Sequence, residues 1–192
     1  MRARENPFRT ERLERLGFRH PSLSAEEIHA RWVTFGRRAA IVGPHGSGKT
    51  TLLREIAARA EREGFRVVRW FRNADSPPAH ARAIASEARE LGPADVLVFD
   101  GAGHLSRWAW RRVARACRGA AGVLVTAHVP GLLPTLIETR TDAHLLNGLF
   151  DELDATGRSP LRRHLGPLCE RHDGNLRDVF LALYDLAARN DR

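Results

Sequence analysis

Eight consecutive residues, Gly43-Pro44-His45-Gly46-Ser47-Gly48-Lys49-Thr50, constrain this chain more than any other stretch. They follow the pattern Gly-x-x-x-x-Gly-Lys-Ser/Thr, and the spacing has a chemical reason. The glycines let the backbone curl until successive N–H groups point inward at phosphate oxygens. The loop then opens a helix, whose N-terminus brings a positive dipole end to the same place. Lys49 reaches toward the β- and γ-phosphates, and the Thr50 hydroxyl is a Mg²⁺ ligand candidate. Lys49 is also the only lysine in the sequence. A chain that uses arginine everywhere else keeps a compact ammonium where a point charge, not a planar fork, is wanted. The flanks agree with the loop. Arg38-Ala39-Ala40-Ile41-Val42 reads as a short buried strand, and Thr51-Leu52-Leu53-Arg54-Glu55-Ile56-Ala57 continues as an apolar-striped helix. Gly43 through Thr51 are therefore the candidate nucleotide-binding residues, for ATP with Mg²⁺.

Strands then alternate with helices. Residues 65–71 read as a second strand, 79–91 as a helix stopped by Gly92-Pro93, 95–100 as a third strand, 106–118 as a helix and 122–128 as a fourth strand. Such alternation predicts an α/β fold with a mainly parallel sheet between helical layers. Ligands of these sheets sit at the carboxyl ends of the strands. The loop, Asp100, Thr126 and His128 all fall there. Asp100 follows an apolar strand about fifty residues after the loop, the place of the Mg²⁺-holding carboxylate called Walker B. Thr126 and His128 can orient a water or sense a terminal phosphate, or simply close a strand.

Ahead of this core, residues 1–35 form a polar, helical N-terminal segment. Phe8, Leu13, Leu16 and Phe18 mark one face, and Ser24-Ala25-Glu26-Glu27 is a capping box opening a helix over 25–34. This segment either covers one side of the nucleotide or packs as core. After the core (36–142), the pattern becomes helical only, near 143–153, 161–171 and 175–189, separated by 155–160 and 172–174. That makes 143–192 a small helical lid. Asn175 is a natural N-cap. Arg177 lies in a first helical turn, where the dipole disfavours a cation unless an anion is near.

With 192 residues and a hydrophobic content of 43%, the chain suffices for one sizeable domain. No apolar run reaches the ~18 residues of a membrane span, and Met1-Arg2-Ala3-Arg4-Glu5-Asn6 leads into no leader-like core. Cys117 and Cys169 lack metal-site spacing. Together these point to the cytoplasm. The net charge of +8 is carried by arginine. Arg107, Arg111, Arg112, Arg115 and Arg118, with Trp108 and Trp110 interleaved, make one basic stripe without an acid. It is either a solvated face over a Trp-anchored core or a surface for nucleic acid or an acidic partner.

The P-loop, a strand ending in Asp, a strand ending in Thr-x-His, an early Asn-Pro-Phe and a late Gly-Asn-Leu-Arg together resemble the AAA-type ATPases, in the branch similar to origin-recognition and secretion-type ATPases. The resemblance implies a P-loop NTPase fold with a C-terminal lid and ATP hydrolysis coupled to a partner, and it admits an oligomer. It implies Thr126 or His128 as sensor one and Arg177 as sensor two. One departure stands out. Asp100 is followed by Gly101-Ala102-Gly103-His104, where these ATPases usually carry a water-polarising glutamate. Hydrolysis is then slow, or His104, His128 or a more distant residue takes that role. Two other readings stand beside this one: a nucleotide-binding switch with little hydrolysis, and a P-loop kinase acting on a small molecule. The absence of Leu-Ser-Gly-Gly disfavours an ABC-transporter ATPase.

Overall fold

The computed structural model describes residues 6–154 and 159–190. Part of the 155–160 connection expected from the sequence thus lies outside the described residues. The sheet has five strands: β1 (Arg38–Val42), β2 (Arg66–Phe71), β3 (Asp95–Asp100), β4 (Gly122–Ala127) and β5 (Thr135–Glu138). Their order is β2-β3-β4-β1-β5, and every neighbouring pair is parallel. Parallel strands need crossovers, and the crossovers place helices on both faces. The strands are accordingly apolar through their middles where both faces are covered: β3 and β4 are buried along almost all their length.

Eight α-helices accompany the sheet among the described residues: α1 (Thr10–Arg15), α2 (Ala25–Thr34), α3 (Lys49–Arg62), α4 (Pro78–Glu87), α5 (Arg107–Ala116), α6 (Ala143–Leu153), α7 (Leu165–Arg171) and α8 (Leu176–Asn190). The helices over α2 and α3 seal one face, with Ile28, Trp32, Leu52 and Ile56 against Ile41, Val98 and Leu124. Ile84, Trp110 and Val113 of α4 and α5 cover the other, against Val42, Leu97 and Phe99. A third core joins α6, α7 and α8 through Leu146, Phe150, Val179 and Phe180. The α/β architecture read from the alternation is the one observed.

Differences from the sequence reading have local causes. The fifth strand, β5, goes unread because four residues, Thr135-Leu136-Ile137-Glu138, carry too short a pattern. The 79–91 helix stops at Glu87 and finishes as a 3₁₀ turn over Ala88–Glu90. The 161–171 helix begins as a 3₁₀ turn, Pro160–His164. The capping box is present: the Ser24 side chain accepts from the Glu27 N–H, and Glu27 accepts from the Ser24 N–H. The N-terminal stretch divides between two cores. Phe8 stacks on Phe150 at 5.2 Å and lies 6.4 Å from Phe180, whereas α2 packs on the sheet.

An ion pair ties the start of edge strand β2 to β3. Asp95 Oδ1 and Oδ2 accept from Arg66 Nε and Nη2 at 2.5 and 2.8 Å, and Oδ2 also accepts from the Gly92 N–H at 2.7 Å. The Arg66 guanidinium and the Gly92 donor hold the Asp95 carboxyl at about 2. A pKa depressed by folding stabilises the fold above the unfolded value, and that contribution disappears as pH falls through the folded value. Asp95→Asn should therefore cost about 1–2 kcal/mol at pH 7, discounted for the exposed arginine. Urea titrations at a series of pH values check this. The gap between wild type and variant should hold down to about pH 4 and close as pH approaches 2.

Candidate nucleotide-binding site

The carboxyl ends of β1, β3 and β4 converge on one cavity of about 540 Å³. Turn by turn, the sequence explains the convergence. Beyond Val42 the loop uses left-handed φ at Gly46 (69°) and Gly48 (86°), a region costly for residues with a Cβ. Gly48 then serves as N-cap of α3. Lys49 is buried, and its Nζ donates to the carbonyls of Gly43 and Pro44 at 2.8 and 2.5 Å. Burial pushes its pKa down, with Asp100 opposing. Ser47 Oγ donates to the Pro44 carbonyl at 2.8 Å and lies 2.6 Å from Thr139 Oγ1. Thr139, just beyond β5, thus props the loop from a strand the sequence reading did not contain.

Asp100 sits at the centre. Its Oδ2 accepts from Thr50 Oγ1 at 2.8 Å and its Oδ1 from Thr126 Oγ1 at 2.6 Å. Thr126 is 1% exposed, and its Oγ1 also accepts from the Gly101 N–H at 2.7 Å. Its hydroxyl is committed to orienting Asp100 and the turn beyond it. His128 behaves differently. Its ring lies 4.0 Å from that of His45 in the loop and 5.5 Å from that of His104, with Nδ1 3.3 Å from the Gly43 carbonyl. Burial, then the charges of Lys49 and His45, hold its pKa below the usual histidine value.

The glycine after Asp100 has a steric reason. Gly101 has φ 83°, and a Cβ there would overlap the Arg72 carbonyl. At Gly103 a Cβ would approach Ala127 Cα to 3.1 Å. A glutamate in this turn meets backbone on both counts. Asp100 is the only carboxylate among the described residues lining the cavity, beside Arg19, Lys49, Arg54, Arg72 and Arg177. Such a wall suits a polyanion.

Two further walls come from outside the sheet. Phe18, whose ring would touch a Cβ at Gly48, stands over the loop, and its N–H donates to Glu55 Oε1. From the other side comes the start of α8. Asn175 Oδ1 accepts from the Asp178 N–H at 3.4 Å, and its Nδ2 donates to Asp178 at 2.7 Å. The same side chain rests against Gly46. Arg177, in the first turn of α8, lines the cavity. Sequence reasoning placed the loop, Asp100, Thr126, His128 and Arg177 at one site, and the structure brings them together. It missed Thr139, Arg72 and the Asn175–Gly46 contact, none of which has a signal short of the fold itself. The arginines at 107, 111, 112, 115 and 118 are absent from this cavity.

A parallel sheet with helices on both faces and this loop at its strand ends make a P-loop NTPase-like fold. Over 56 residues, 27% of this chain, it is 48% identical to the Fe(3+) ions import ATP-binding protein FbpC of Yersinia enterocolitica. The match takes in 16% of that protein, so the chain spans only a small part of the length of its curated relative. No family model matches the chain. No helix among the described residues is long and apolar enough to cross a membrane.

Gly46→Ala should be costly on two counts, its left-handed φ and the overlap with Asn175. The φ alone amounts to about 1–2 kcal/mol. Thermal unfolding should show a lowered midpoint, and a labelled nucleotide analogue should bind more weakly to the variant, because α8 is pushed off the loop.

Proposed function

We propose that this chain binds ATP with Mg²⁺ and is an AAA-like ATPase that couples ATP binding and slow hydrolysis to a partner. The observation that carries the reading is the shared cavity: P-loop, Asp100, the strand-end Thr126–His128 and Arg177 of the helical region line one space. The relative's printed name, an ATP-binding protein, favours ATP as the nucleotide. In this reading the loop N–H groups and Lys49 bind the phosphates. Thr50 and Asp100 are hard oxygen donors 2.8 Å apart, the donor set Mg²⁺ prefers. They would hold the ion, which supplies charge neutralisation at the phosphates. Thr126 positions Asp100. His128 and His104, with His45 beside them, are the cavity's imidazoles able to accept a proton from an attacking water. The helices from 143 onward act as the lid, and Arg177 serves as its γ-phosphate contact.

Slow turnover follows from the turn after Asp100, which holds no carboxylate and where a side chain at Gly101 would overlap the Arg72 carbonyl. General-base help is typically worth ~10²–10⁴-fold. The same observation favours a second reading, a nucleotide-dependent switch that releases little phosphate. Phosphate release measured with and without candidate partners separates the two.

Lys49→Ala should abolish binding of a fluorescent ATP analogue, because it removes the phosphate-facing charge at the centre of the loop. Undiminished affinity would refute the site.

Arg177→Ala should weaken ATP more than ADP, by roughly 1.5–3 kcal/mol, the worth of a charged hydrogen bond. Arg177→Lys should recover only part, since a point charge cannot reproduce the bidentate fork. Calorimetric titration of both nucleotides reads the difference, and equal losses would remove Arg177 from the γ-phosphate.

A further inference from the structure

We propose that the outer face of α5 binds single-stranded nucleic acid, with Trp108 stacking on a base and the neighbouring arginines holding successive phosphates. The helix has two unlike sides. Trp110, Val113 and the following Cys117 are buried in the core beneath the sheet, and the Trp110 indole N–H donates to the Leu132 carbonyl at 2.9 Å. Arg107, Arg111, Arg112 and Arg115, with Arg118 in the 3₁₀ turn that follows, are all exposed.

Several surface arginines elsewhere in this protein find acids. Arg19 pairs with Glu152, Arg59 with Glu26, Arg69 with Glu61 and Arg140 with Glu138. Among the described residues, none of the five arginines at α5 is in an ion pair. The sequence itself withholds the acids: no Asp or Glu occurs between Asp100 and Glu138. Five guanidinium groups with no acid on their face make a local positive potential that attracts an anionic partner.

Trp108 decides which anion. It is 76% exposed, the most exposed of the large apolar side chains, and the Arg111 guanidinium lies 5.5 Å from its ring centre. A flat aromatic face bordered by phosphate-binding arginines is the composition of single-strand sites, where bases stack on rings and the groove follows the backbone. An acidic peptide supplies charge but no ring faces. An anionic membrane needs an apolar helical face, and the apolar face of α5 is already spent on the core. A duplex keeps its base faces stacked on each other. The surface is separate from the nucleotide cavity, so the inference stands or falls apart from the ATP reading.

The test is fluorescence anisotropy of the full chain with a labelled oligonucleotide of about 20 unpaired bases, across a salt series. Wild type should bind, with log affinity falling linearly against log salt. Replacing Arg107, Arg111 and Arg115 by Ala should flatten that slope by about two, at about 0.7 per single-strand phosphate. Trp108→Ala should weaken binding about 5- to 150-fold, and Trp108→Phe should retain most of it. Unchanged melting and circular dichroism confirm that the variants fold. Lys49→Ala should bind the oligonucleotide as wild type does, which isolates this surface from the P-loop. Failure of wild type to bind would overturn the proposal. So would variants that bind like wild type, a preference for duplex indifferent to Trp108, or binding to phosphatidylglycerol vesicles but not to the oligonucleotide.

Discussion

Asp100 is the joint on which the site depends. A carboxylate at the end of a buried strand is costly unless its oxygens are satisfied. Here they are satisfied from two directions, by Thr50 at the head of α3 and by Thr126 at the end of β4. These bonds tie the loop-bearing β1–α3 unit to the ends of β3 and β4. The Gly101 N–H, returned to Thr126, fixes the turn that leads into α5. One side chain thereby sets the relative position of the phosphate loop, the sheet and the following helix. The same satisfaction leaves the hydroxyl of Thr126 committed to structure, whereas the ring of His128 stands beside the loop.

Much of this was legible in the sequence because the signals were local. The P-loop, the apolar strand before Asp100, the Ser24 capping box and the Asn175 N-cap each need only a few adjacent residues to be recognised. β5 was not legible: its four residues become a strand only because β1 offers an open edge and Thr139 a bonding partner in Ser47. The contact between Asn175 and Gly46 joins positions distant in the chain, and no spacing rule reports it. Nor does composition explain Gly101. As sequence it is a missing glutamate, and as structure it is a left-handed turn pressed against the Arg72 carbonyl.

The two glycine-dependent approaches have opposite relations to chemistry. At Gly46 the missing Cβ admits the N-cap of α8, so the helical region can rest on the phosphate loop itself. At Gly101 the missing Cβ admits the end of β2, and the close fit excludes a longer side chain from the turn. Close packing of backbone on backbone thus builds the cavity and at the same time limits which residues can serve in it.

The third core has a consequence for the order in which the chain can fold as it is made. Asn6 Nδ2 donates to the Tyr184 carbonyl at 2.9 Å across 178 positions, and Phe8 lies between Phe150 and Phe180. The sheet and the Ser47–Thr139 support of its loop are complete once Thr139 is made, and they can assemble while the last helices are still being synthesised. The segment from Asn6 to Arg19 cannot settle so early, since its aromatic anchor has no socket until α8 exists. Docking of that segment on α6 and α8 therefore closes the longest sequence separation among the described contacts, and such non-local contacts are the slow ones to form.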